Sequence, residues 1–115
     1  MSSTYSRIEC INQNVPEAAI YEQMAEECSE LSHALLKKAR KLRGENYTPS
    51  STEQIEHDIL EEFTDVLLCA KVLHIEMDPF IFVEKLNRWA LRVSLTPESY
   101  YSFKKLKDRV LDGLS

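Results

Sequence analysis

At 115 residues, with 43% hydrophobic and 29% charged residues, the chain is sized for a single globular domain, and its composition argues against a disordered chain. Two glycines and four prolines are too few for the tight turns of a β-rich fold, which leaves an all-α chain as the expectation. A net charge of −5 argues against the chain as a whole clamping a nucleic acid backbone.

A short leader helix is expected over residues 4–12, ending before "NQNVP". Pro16 suits the first turn of the next helix, where its missing N–H costs nothing. From there to Arg43 the residues Ile20, Met24, Cys28, Leu31, Leu35, Ala39 and Leu42 recur at intervals of three and four, the period of one amphipathic helix. A basic last turn, "KKARKLR", and Gly44 close it. "GENYTPSST" (44–52) reads as a loop ending in a capping box, Ser51 with Gln54. The second long helix has Ile55, Ile59, Phe63, Val66, Ala70 and Leu73 as its stripe. Asp78-Pro79 stops the pattern and restarts it as a third helix over 79–93, with Phe80, Val83, Leu86 and Ala90 on one side. Thr96 and Pro97 suggest a cap for a final basic helix over 97–112. The expected architecture is a four-helix-type bundle with a short leader, one all-α domain over residues 1–115.

The three cysteines (Cys10, Cys28, Cys69) are odd in number and form no CxxC, so neither a disulfide framework nor a zinc knuckle is suggested. "MSSTYSRIEC" has no apolar leader and the longest apolar run, "VLLCA", is too short to span a bilayer. Reduced thiols in a cytoplasmic protein are the expectation. Charge is unevenly spread: acids concentrate between Glu17 and Glu62, while seven basic residues lie between Lys85 and Arg109. That division suits a site holding both cations and an anionic ligand.

Two acidic stretches, "MAEECSEL" (24–31) and "ILEEFTDV" (59–66), repeat at an offset of 35 residues. At roughly 100° per residue, Glu27 lies about 60° from a stripe centred on Met24, Glu30 about 120° and Glu26 about 160°. Glu62, Asp65 and Glu61 take the same three angles about Ile59. One such cluster is ordinarily a solvated face. Two at matching phase on neighbouring antiparallel helices would bring Glu27, Glu30, Glu62 and Asp65 to one end of a shared seam. Neither cluster contains a Lys or Arg, so the charge there needs a partner or a proton. A hard divalent cation such as Mg²⁺, with Mn²⁺ as substitute, meets that need through oxygen ligands.

At these residues the sequence resembles the MazG-like all-α nucleoside triphosphate pyrophosphohydrolases. Glu27-Cys28-Ser29-Glu30 is similar to that family's ExxE and Glu62-Phe63-Thr64-Asp65 to its ExxD, over a span of roughly residues 17–92. The connection carrying "GENYTPSST" is longer than in compact members. The resemblance implies Mg²⁺ held by Glu27, Glu30, Glu62 and Asp65, and hydrolysis of a nucleoside triphosphate, a dNTP for preference, between its α- and β-phosphates. Glu26, or else Glu61, would act as general base. No P-loop is available with only Gly44 and Gly113. Phosphate contacts therefore fall to Lys85, Asn87, Arg88 and Arg92 of "EKLNRWALR", although a solvated basic face explains the same residues. Members of that family are dimers or tetramers, and apolar stripes on every helix are more than a thin bundle buries, so a homodimer is expected.

Two other classes stay open. Glu30-Leu31-Ser32-His33 is an ExxH, as in di-iron carboxylate bundles, but Leu68 stands where the second His is required. A non-catalytic helical adaptor or dimerisation module would leave the acids with no chemistry. Trp89, His57, His74, Tyr100 and Tyr101 read as packing, boundary or surface residues.

Overall fold

The computed structural model describes residues 3–45, 49–94 and 108–109. Its principal elements are four helices: α1 (Thr4–Asn14), α2 (Glu17–Arg43), α3 (Thr52–Val72) and α4 (Pro79–Val93). No strand occurs among the described residues, so the chain is all-α as expected. The final basic helix expected over 97–112 lies outside the described residues, apart from a helical Asp108–Arg109.

The helix ends follow from local chemistry. Ser3 and Ser51 each accept a backbone N–H three residues on, from Ser6 and Gln54, both at 3.1 Å. The expected capping box is half formed. Ser51 caps α3, but the Gln54 side chain donates forward to Asp58 at 2.8 Å instead of back to the cap. Asp78 accepts from the Phe80 and Ile81 N–H groups, with Pro79 at the first helical position. α2 closes on Gly44 at φ 69°, with Gly44 N–H donating to Lys41 and Glu45 N–H to Arg40. α3 closes the same way without a glycine: His74 takes φ 58°, and Ile75 N–H reaches the Ala70 carbonyl at 2.9 Å.

The chain divides into two compact units, residues 1–75 and 76–115. In the first, α2 packs along α3, and α1 packs on α3. The α2–α3 pair is antiparallel: Lys38 reaches Glu56 at 3.1 Å and Lys41 reaches the Ser50 carbonyl at 2.7 Å, so rising numbers on α2 meet falling numbers on α3. Ile20, Ile55, Cys69 and Val72 are buried. Asn12 of α1 donates to the Val72 carbonyl at 3.1 Å, tying the leader to the end of α3. The second unit contains α4, on which Val83 is buried while Phe80 and Leu86 are about half exposed.

The two long helices depart from their expected stripes in one instructive way. On α2 the buried or half-buried positions are Ile20, Met24, Glu27, Leu31 and Ala34, then every residue from Lys37 to Lys41, whereas Cys28, Leu35 and Leu42 are exposed. On α3, Phe63 is 48% exposed and Glu62 is half-buried. Each helix is apolar over more of its circumference than one partner can cover. The packed seam is rotated towards Glu27 and Glu62 relative to the stripe that periodicity alone selects.

Candidate metal centre

Because α2 and α3 run antiparallel with Glu27 and Glu62 turned into the seam, the two acidic stretches meet. Glu27, Glu62 and Asp65 each present a carboxylate oxygen, and these oxygens lie within 4.8 Å of one another. Glu27 and Glu62 are half-buried and Asp65 is exposed. Helical spacing explains the set: Glu62 and Asp65 are three apart on α3 and share a face, while Glu27 comes from the facing helix.

Partial burial raises the Glu62 carboxyl above the ordinary Glu value, and the charges of Asp65, Glu30, Glu27 and Glu61 raise it further. Glu30, the fourth expected ligand, is exposed and stands outside the 4.8 Å group. Its charge is nevertheless close enough to act on Glu62. Burial also pushes the Cys69 thiol up, with smaller contributions from Glu27, Asp65 and Cys28. No Lys or Arg forms an ion pair with Glu27, Glu30, Glu62 or Asp65 among the described residues. The donor set therefore fits a hard cation: three carboxylates from two helices, two of them half-buried, and no protein cation to neutralise them.

Sequence reasoning passed over Gln23. Its Nε2 donates to Glu27 Oε1 at 2.7 Å, holding the carboxylate one turn up the same helix. The four-residue spacing is the signal that could have found it. A second group also escaped notice: His57, Asp58 and Glu61, clustered on one turn of α3. His57 Nδ1 lies 3.7 Å from Glu61, both side chains being exposed, and Asp58 is engaged by Gln54. The group lies on a single helix, with His57 and Glu61 solvated and Asp58 half-buried. Glu26 is exposed and belongs to neither group, and the same holds for His33.

On α4, Lys85, Arg88 and Arg92 line one open groove of about 540 Å³ together with Trp89 and Leu91. Their spacing of three and four residues puts the three cations on one helical face. Arg88 also pairs with Glu84 at 3.2 Å. Asn87 is half-buried, and its amide nitrogen makes no hydrogen bond. Trp89 is 65% exposed in the groove.

Comparison of the chain with models of protein families, with curated proteins and with solved structures finds no match. The three cysteines are unpaired, and no helix among the described residues is long and apolar enough to cross a membrane.

Proposed function

We propose that the chain is a Mg²⁺-dependent nucleoside triphosphate pyrophosphohydrolase of the MazG-like kind, cleaving between the α- and β-phosphates to give the monophosphate and pyrophosphate. The observation that carries this reading is the meeting of Glu27 with Glu62 and Asp65 across the α2–α3 seam. These three, with Glu30 beside them, would hold the ion. Bound there, Mg²⁺ supplies positive charge to triphosphate oxygens and lowers the pKa of water.

The remaining roles belong to the chain's own side chains. Gln23 keeps the Glu27 carboxylate oriented, as outer hydrogen bonds do for metal ligands generally. Lys85, Arg88 and Arg92 share one groove face and bind phosphate oxygens. Asn87, whose unpaired amide nitrogen is buried, would reach a substrate acceptor only by turning its side chain outward. Glu26, exposed and outside the carboxylate group, would take the proton of the attacking water once its side chain turns towards the seam. Self-association as a homodimer belongs to the same reading, supported by the exposed apolar residues of the long helices.

The test is a panel of NTPs and dNTPs with Mg²⁺ or Mn²⁺, scored for products. Monophosphate plus pyrophosphate is expected, with turnover lost in Glu62→Gln. Release of orthophosphate, or no turnover of any nucleotide, would remove the assignment.

A further inference from the structure

α2 carries two seven-residue repeats side by side. The first, through Ile20, Met24, Glu27, Leu31, Ala34 and Lys38, is buried or half-buried on the helix that packs along α3. The second alternates small and large residues at intervals of three and four. Ala18, Ala25, Ser32 and Ala39 are the small set, and Tyr21, Cys28, Leu35 and Leu42 the large. All are exposed except Ala39, which is half-exposed; Tyr21, Leu35 and Leu42 stand at 50%, 48% and 74%. A 3-4 alternation sustained over seven turns (about 36 Å of helix) is the pattern of a coiled-coil seam. Its slow drift around the helix is the one a left-handed supercoil removes.

The order of sizes says what covers it. When α2 is laid antiparallel on a copy of itself with the two-fold axis level with Glu30, the residues of each layer are numbered symmetrically about that position. Ala18 then meets Leu42, Tyr21 meets Ala39, Ala25 meets Leu35, and Cys28 meets Ser32. Every layer joins a small residue to a larger one, so the interface is self-complementary in volume, as an isologous contact requires. A parallel pairing would stack Tyr21 on Tyr21 and Ala25 on Ala25, alternating crowded and empty layers.

Charge selects the same orientation. The amino-terminal half of α2 carries Glu17 and Glu22, and the carboxy-terminal half ends in Arg40, Lys41 and Arg43. Antiparallel pairing sets the acidic half of one helix beside the basic half of the other, while parallel pairing sets like against like. The macrodipoles also oppose favourably.

We propose that this second seam is the surface on which two copies of the chain associate, through an antiparallel α2–α2 contact centred on Glu30. The inference deepens the homodimer reading and is independent of the catalytic one. It puts the two-fold axis within one turn of Glu27 on α2, so the two carboxylate sites would flank one interface.

The test uses the full chain in sedimentation equilibrium. Ala25→Leu overfills a layer and should weaken the dimer about tenfold or more. Leu35→Ala empties the same layer and should also weaken it. The double variant Ala25→Leu/Leu35→Ala exchanges the two sizes across the layer and should restore affinity to about wild type. Both positions are exposed in the single chain, so helicity by circular dichroism should stay constant throughout. Independently, Ser32→Cys in a Cys10→Ser background should oxidise to a covalent dimer through Cys28, whereas Cys10→Ser alone should not. A monomer at tens of micromolar would overturn the seam and the homodimer reading together. A stable dimer without rescue in the double variant, or one cross-linked through Cys28 in the Cys10→Ser parent, would overturn the seam alone.

Discussion

Two groups of side chains on α3, one turn apart, look alike as inventories and differ in what their surroundings demand. His57, Asp58 and Glu61 lie on one turn of one helix, His57 and Glu61 exposed and Asp58 half-buried, with an internal pair and a neighbouring Gln54 to share the charge. Glu62 and Asp65 belong to a group completed from another helix by Glu27, with two members half-buried and no cation paired to them. The first group assembles whenever the helix forms. The second assembles only when two helices pack, and packing them forces like charges together while taking some of their water away. A protein that keeps this arrangement gains from it only when something positive arrives. The cross-seam group is therefore read as the functional one.

The largest expected effect sharpens that contrast through activity. Glu62→Gln or Glu27→Gln should lower turnover by at least about 10²-fold, while His57→Ala leaves it within about twofold. Comparable losses from His57→Ala would break the distinction. Next in size is the response to metal. In excess Mg²⁺, at roughly 100 times its dissociation constant, wild type should gain about 2.7 kcal/mol of stability. Thermal melts should show that gain missing from Glu62→Gln and intact in His57→Ala.

A smaller effect follows from protonation in the absence of metal. The folded-state Glu62 carboxyl titrates above its unfolded value, so the folded chain holds that proton more tightly. Its stabilising contribution is complete below the unfolded pKa and is lost as pH rises through the raised folded value. Melting temperature in chelator should thus fall, on this group's account, as pH rises through that window. Glu62→Gln should remove this part of the pH dependence and be the more stable protein at neutral pH. Mg²⁺ affinity should rise over the same window as the ligand loses its proton. The smallest effect is on the other side of the comparison. Cutting the exposed His57–Glu61 pair with His57→Ala should change stability by no more than about 0.5 kcal/mol in denaturant melts.

Much of this was legible in the sequence, and the limits have a physical cause. Periodicity with Pro16, Gly44, Ser51 and Asp78-Pro79 as punctuation located α2, α3 and α4 closely, because caps and breakers act locally. The acids were legible as a pair because Glu27 and Glu62 share a phase on their helices. Their depth was not. With Tyr21, Cys28, Leu35 and Leu42 on α2, and Leu60, Phe63 and Leu67 on α3, apolar residues extend well beyond one contact stripe. Period alone then cannot say which sector meets the partner. The packed sector is the one containing Glu27 and Glu62, and Phe63 is left 48% exposed. Gln23 escaped because an uncharged residue one turn from a ligand carries no chemical signal of its own. His74 as a left-handed helix terminator was illegible for a related reason, since glycine usually holds that position.

The most direct test of the central claim is calorimetric titration of Mg²⁺, or of Mn²⁺ where its signal is larger, into wild type, Glu62→Gln and His57→Ala. Saturable binding by wild type, at least about tenfold weaker in Glu62→Gln and unchanged in His57→Ala, is the predicted result. Absence of saturable binding to wild type, or equal loss in both variants, would contradict the assignment of the α2–α3 carboxylates as the metal centre.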